Sequence, residues 1–372
     1  MTEKEALVAL NLVPGLGVAQ IMRWRESLGS YSAVFMAETG ELCQSAIRIS
    51  ETRVAELVAE IKSARWEEEM ARAERDKVRL LTLADDDYPA LLRQIHLPPP
   101  VLYCRGDIGC LNRCNVSVIG SRNASAYGMQ SAKKIAAALA DAGVGVVSGL
   151  ATGIDAAAHS GALEGGGATV GVLGGALNCF YPSENIGLAR RMVENNGAVI
   201  SEFPYGVNPG KTTFPRRNRI VSGLSRCIVA VETSLRGGTM ITVDCAIRQN
   251  RSVMAVPGRI DSFRSAGCNR LIRDGAGIVT EAEDIFRELG EFFPKSQTSR
   301  KAASGAVPDT RTASLCADEK TVWEELSDEP HSPEVLIERT GLDAGRLGAA
   351  LIGLQMRKLA RSLPGGMVER IN

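Results

Sequence analysis

No C-x-x-C pair, no long apolar run and no net charge of either sign occur in this 372-residue chain. Its 43 Lys and Arg are balanced by 43 Asp and Glu, so a polycation acting through charged tails is excluded and any nucleic-acid surface must be a local patch. Without an apolar run near the roughly 18 residues of a membrane helix, no span and no membrane partner are expected. Met1-Thr2-Glu3-Lys4-Glu5 is too acidic and polar for a signal peptide. The nine cysteines are odd in number and scattered, which fits reduced thiols and a cytoplasmic location. Cys104, Cys110 and Cys114 near His96 match no usual zinc spacing. There is no G-x-x-x-x-G-K-[ST] and no G-x-G-x-x-G, so P-loop hydrolysis and dinucleotide binding are not expected, and no cofactor is assigned.

Glycine, by contrast, is plentiful and concentrated, with 25 of 38 residues between positions 115 and 290. There, short apolar runs alternate with glycine turns and helical stretches; the runs are VSVIG (116–120), VGVVSG (144–149), TVGVLGG (169–175), AVISE (198–202), CIVAVE (227–232) and SVMAVPG (252–258). Helical patterns at 126–142, 155–164, 184–195, 239–250 and 281–289 lie between or after them. Continuous Val/Ile runs alternating with helices indicate a parallel sheet covered on both faces, a doubly wound α/β fold. Ligands in such sheets sit at the carboxyl ends of the strands.

The flanks differ. Residues 1–62 are helical in pattern, and Val13-Pro14-Gly15-Leu16-Gly17 joins two apolar stretches as a helix-hairpin-helix-like turn or a plain helix corner. Residues 63–290 form the extended α/β domain, opening with a connecting helix and an extension in which VLYCRG after Pro98-Pro99-Pro100 reads as an extra strand. Residues 291–317, rich in Ser, Ala, Thr and Pro, read as a linker. Residues 318–372 give helices near 318–327, 332–340 and 343–358, then LARSLPGGMVERI as a β-wing, the order of a winged helix.

Charge is unevenly spread. Residues 205–275 hold 12 basic and 4 acidic residues, net +8, whereas 1–62, 63–204, 276–317 and 318–372 are net −2, −2, −1 and −3. The cations are mostly arginine, suited to planar phosphate contacts. The densest stretch, KTTFPRRNRI (211–220), places Lys211, Arg216, Arg217 and Arg219 around Phe214. Cations with an aromatic make a single-strand groove, or the ring is core and the arginines are a solvated face. In the first βα turn, Gly120, Ser121 and Arg122 lie between strand and helix, where free N–H groups favour an anion; Arg122 could equally pair with a carboxylate. Gly237-Gly238-Thr239 is a second phosphate cradle or a tight turn. Asp155 and His159, four apart on one helix, are more readily a cap and a buried polar group than an acid/base pair.

Taken in order, DDDYPALLRQIHLPPPVLYCRGD, VIGSR, VVSGLATGIDAAAH, YPSEN, SEFP, FPRRNRIVSGL, RGGTMIT and RSVMAVPG followed by GCNRLIRDGA resemble the DNA-processing protein A family (DprA/Smf), from about Tyr88 to about Leu289. The resemblance implies an extended Rossmann domain that binds single-stranded DNA, a homodimer, and loading of RecA recombinase onto incoming strands during natural transformation, with no catalytic activity. It puts the phosphate pocket on Gly120, Ser121 and Arg122, a phosphate contact on Lys211 and the base-contacting ring on Phe214, with Arg216, Asn218 and Arg219 completing the motif. One departure stands out. Some members carry Lys between Pro and Asn of Y-P-x-x-N, where this chain has Ser183 and Glu184. The rival is an enzyme similar to the lysine-decarboxylase-like phosphoribohydrolases, which use P-G-G-x-G-T-x-x-E. The nearest stretch here, Arg236-Gly237-Gly238-Thr239-Met240-Ile241-Thr242, has Thr242 in place of the acid. A pure protein scaffold would leave the +8 segment without a role.

Overall fold

A computed structural model describes residues 1–46, 49–293, 315–326, 331–357, 359–362 and 367–370. The chain divides into two compact units, Met1–Thr298 and Ser299–Asn372.

The first unit opens with helices α1 (Glu3–Leu12), α2 (Val18–Leu28), α3 (Thr39–Gln44), α4 (Glu51–Ser63) and α5 (Trp66–Arg75). Thr2 starts α1 in a capping box with Glu5. The expected turn joins α1 to α2, with Gly15 at φ +78° and the Pro14 carbonyl held by Arg53. Trp24, Leu7, Leu10 and Ile21 of these helices share one core with Val101, Tyr103, Met192 and Val199 of the α/β part.

Nine strands follow: β1 (Arg79–Thr82), β2 (Val101–Gly106), β3 (Asn115–Ile119), β4 (Gly145–Ser148), β5 (Thr169–Val172), β6 (Ala198–Ser201), β7 (Cys227–Ala230), β8 (Ser252–Ala255) and β9 (Gly277–Ile278). Their order in the sheet is β1-β2-β6-β5-β4-β3-β7-β8-β9. Strands β3 to β9 are parallel, and the β1–β2 ribbon adds to β6 antiparallel. This is the doubly wound, Rossmann-like sheet read from the glycine-punctuated runs. The expected extra strand is β2; β1, where the extension beginning at LLTL follows the connecting helix, was not anticipated. It has only four residues, RLLT, of which two are apolar, too short for its period to separate strand from helix.

Helices α6 (Ala90–Arg93), α7 (Ala126–Asp141), α8 (Ile154–Glu164), α9 (Ile186–Glu194), α10 (Thr213–Gly223), α11 (Gly238–Arg248), α12 (Ala266–Arg273) and α13 (Ala282–Leu289) cover the sheet. One face packs Val116, Val118 and Val229 against α7, α8 and α13. The other packs Ile119, Val172 and Ile228 against α10, α11 and α12. Helix α10 falls on the FPRRN stretch, which the sequence pattern had not marked as a helix. Its proline stands at the third position, within the first turn, where no intrahelical N–H bond is lost.

The chain direction turns at β3. Strands β4, β5 and β6 extend the sheet to one side of it, and β7, β8 and β9 to the other. The crevice between the loops after β3 and β7 is therefore the topological switch point, where open α/β sheets bind ligands.

The second unit has α14 (Ala317–Glu325), α15 (Pro333–Thr340) and α16 (Ala344–Met356), then an antiparallel pair, β10 (Ala360–Ser362) and β11 (Val368–Arg370). That is the expected winged helix. Leu336, Leu347 and Leu354 form its core with Val322. The Pro-Gly-Gly turn of the wing and residues 294–314 of the expected linker lie outside the described residues. Among the described residues no helix is long and apolar enough to cross a membrane.

Candidate nucleic-acid interface

At the switch point lies a cavity of about 510 Å³. Gly120, Ser121, Arg122 and Asn123 after β3, Lys211, Phe214, Arg217 and Asn218 around the start of α10, and Gly237, Gly238 and Thr239 at the start of α11 all line it.

The β3–α7 loop is held rigidly. Ser121 N donates to the Glu232 carbonyl at 2.7 Å. The buried Glu232 carboxylate accepts from Ser125 N (2.8 Å) and Ser125 Oγ (2.5 Å). Neither the loop nor the first turn of α7 leaves room for a larger residue at its glycine: a Cβ at Gly120 would lie 2.5 Å from the Ile154 side chain, and one at Gly128 would lie 2.4 Å from Glu232. These bonds correct one expectation. The N-terminus of α7 is satisfied internally, by Ser125 Oγ toward Gly128 N and by Glu232 nearby. An anion here would meet Arg122 and the loop backbone rather than a free helix end.

The open helix end is that of α11. Gly237 is its N-cap without a side-chain cap, and its first turn contains no acid. That positive dipole end faces the cavity. Arg122 and Lys211 are exposed, and neither forms an ion pair among the described residues. The Arg122 guanidinium lies 4.8 Å from the Phe214 ring centroid, a cation–π contact. Phe214 itself is half-buried. Its ring fits over Gly174, where a Cβ would approach to 2.5 Å, and lies 6.3 Å from Tyr181.

The floor is polar and charged. Arg217 is 5% exposed and donates to the carbonyls of Gly149, closing β4, and of Val172 (2.6 Å), ending β5. Its Nε donates to Asn218 Oδ1 at 3.2 Å. Asp155 is 7% exposed and accepts from Gly149 N at 3.1 Å, so it fastens the β4–α8 loop instead of capping the helix ahead of it. Burial pushes its carboxyl pKa up, against the pull of Arg217 and of hydrogen bonds from Ser148 and the loop backbone. Burial likewise pulls Arg217 down, opposed by Asp155. His159 is buried with Nδ1 2.7 Å from Thr169 Oγ1. Burial, and secondarily Arg217, push its pKa down to about 3, and no hydrogen bond joins its ring to Asp155 among the described residues.

The structure brings together Gly120, Ser121, Arg122, Lys211, Phe214, Asn218, Gly237, Gly238 and Thr239. It sets Arg216 and Arg219 elsewhere. Both ion-pair with buried Glu202, Arg216 at 3.3 Å, and Arg219 also donates to the Leu97 carbonyl. Arg216 lies over Phe203. Arg217 and Asp155 line the cavity without having been singled out as site residues. A helical reading of 213–223 was the available signal, because Phe214, Arg217, Asn218 and Val221 then fall at i, i+3, i+4 and i+7 on one face.

Residues 79–290 match the family described as "DNA recombination-mediator protein A", and residues 306–366 match the "DprA winged helix domain". Protein Smf of Escherichia coli (strain K12) is 33% identical over 363 residues, covering 98% of this chain and 94% of that protein. DNA processing protein DprA of Streptococcus pneumoniae is 40% identical over 216 residues, 58% of this chain and 76% of that one. Two solved structures are similar. The DNA processing protein A of Streptococcus pneumoniae superposes with TM-score 0.66 at 32% identity, covering 77% of this chain and 98% of that one. That of Helicobacter pylori, whose description concerns its single-stranded DNA binding mode, gives 0.52 at 28% identity over 58% of this chain and 98% of that one.

Proposed function

The chain belongs to the DNA recombination-mediator protein A (DprA/Smf) family, and on that premise we propose that it binds single-stranded DNA in the switch-point cavity and hands the strand to RecA recombinase during natural transformation, as a cytoplasmic homodimer without catalytic activity. One observation carries this reading: two cations that form no ion pair among the described residues, an open helix end and a half-exposed aromatic ring converge on one crevice. Phosphates fit Arg122, Lys211 and the backbone from Gly237 to Thr239. A base fits the Phe214 ring, which a base stacked and paired inside a duplex cannot reach. The only acid in the cavity lining is Asp155, buried and committed to the loop backbone, which disfavours the base-releasing enzyme.

Fluorescence anisotropy with single-stranded and duplex DNA of equal length, across salt, tests the first half. Single strands are expected to bind more tightly, with affinity falling steeply as salt rises because bound phosphates release counterions. Equal affinity for both forms would sink the reading. For the second half, the protein is expected to raise RecA filament formation on DNA coated with single-strand-binding protein, and no increase would remove that role.

The winged helix is expected to add little affinity. Arg346, the one cation in the first half of α16, is held by Asp318 at 2.6 and 2.9 Å. Arg357 and Arg361 face Glu319 and Glu369, and residues 318–372 are net −3. A chain ending near residue 300 should bind single strands within a few-fold of the full chain at the same salt. A tenfold loss, about 1.4 kcal/mol, would show that the module touches DNA.

A further inference from the structure

Beside the main cavity, and sharing Arg122, Phe214 and Arg217 with it, lies a smaller hollow of about 90 Å³. Its wall includes Tyr181, Gly174, Thr152 and Glu184. The hollow is too small for a whole nucleotide, so only part of one, such as the edge of a base, enters it. Two aromatic rings flank it. Phe214 and Tyr181 stand 6.3 Å apart at 55°, and Tyr181 is 53% exposed. Glu184 is exposed, forms no ion pair among the described residues and accepts a hydrogen bond from the Ser183 hydroxyl at 3.3 Å. Asn185, the next residue, anchors this wall by donating to the Leu150 carbonyl at 2.8 Å, so the carboxylate sits on a fixed backbone.

We propose that Glu184 makes this hollow selective for a base bearing an amine on its pairing edge, cytosine among them, over thymine. The inference rests on the single-strand reading above and adds base preference to it. A base against Phe214 or Tyr181 is held by stacking, which alone tolerates every base. Its edge then meets a carboxylate, which only accepts hydrogen bonds. Cytosine offers its N4 amine, the partner that Glu and Asp take when reading bases. Thymine offers one N–H between two carbonyl oxygens, and both oxygens oppose the carboxylate. Arg122, which also lines the hollow, neutralises the phosphate, so the acid does not have to repel the strand as a whole.

The test is anisotropy of the full chain with dC20, dA20 and dT20 at one salt concentration, for the parent and for Glu184→Gln. The parent is expected to bind dC20 about fivefold more tightly than dT20, the low end of what one base contact discriminates. In Glu184→Gln the amide presents both a donor and an acceptor, and the ratio is expected to fall within about twofold, while dT20 binds as well as before or better. Removing a negative charge strengthens all three oligonucleotides alike, so the ratio is the readout. Equal binding of dC20 and dT20 by the parent, or an unchanged ratio in the variant, overturns this inference alone. No binding to any of the three overturns the single-strand reading and this inference with it. Glu184 is exposed, and an unchanged circular dichroism spectrum checks that the variant folds.

Discussion

Replacing Arg217 by methionine should lower the unfolding free energy of the α/β unit by about 3–5 kcal/mol, the range for breaking a buried charged constellation from one side. The guanidinium is almost wholly buried and ties the carboxyl ends of β4 and β5 together through the Gly149 and Val172 carbonyls. Methionine fills much of the volume but donates nothing, leaving both carbonyls short of a partner. It also removes the cation that opposes the desolvation of Asp155. The pH dependence follows from the sign of that shift. Burial already raises the Asp155 pKa with Arg217 present, and without it the pKa rises further. A carboxyl whose folded pKa lies above its unfolded value binds more protons in the folded state, so stability falls as pH rises through that interval. The variant should therefore regain part of its loss between pH 7 and pH 5, and Asp155→Asn added to it should abolish the regain. Urea midpoints at the two pH values measure both effects. A deficit under 1 kcal/mol, or one independent of pH, would mean that Arg217 and Asp155 are not coupled through burial.

That pair also marks where sequence reading stopped. The sheet was legible because short Val/Ile runs alternate with helical stretches and several of the runs end in glycine: Gly120, Gly149 and Gly174 sit beyond β3, β4 and β5, and the cavity walls need their missing side chains. Lys211 and Phe214 stood out by composition alone. Ranking the three arginines and one lysine of 211–219 required knowing that the stretch is a helix, and Pro215 hid that, since a proline in a first turn looks like a proline in a loop. Once α10 exists, the 3.6-residue repeat turns Arg217 inward and sends Arg216 and Arg219 to Glu202. No linear feature joins Glu202 to Arg219 across 17 residues, or Glu232 to Ser125 across 107. Those contacts come from sheet order, which the sequence implies only through the whole fold.

Phe214→Ala should weaken single-strand binding by about 1–3 kcal/mol if a base stacks on the ring, roughly a 5- to 150-fold rise in Kd. The salt slope should stay as it is, because no phosphate contact is lost. Lys211→Ala should behave in the opposite way, making the slope shallower by about one contact. The ring also packs over Gly174 and under Arg122, so a loss in the alanine variant could arise from packing. Phe214→Leu separates the two causes. Leucine keeps apolar bulk over Gly174 but has no π face for a base or for the guanidinium. If stacking is the source, leucine binds nearly as weakly as alanine while melting near the parent temperature. If packing is the source, leucine restores binding and alanine alone lowers the melting temperature sharply. In that second outcome Phe214 is a wall of the crevice, and the base-contacting role passes to Tyr181, the other ring at the mouth of the smaller hollow.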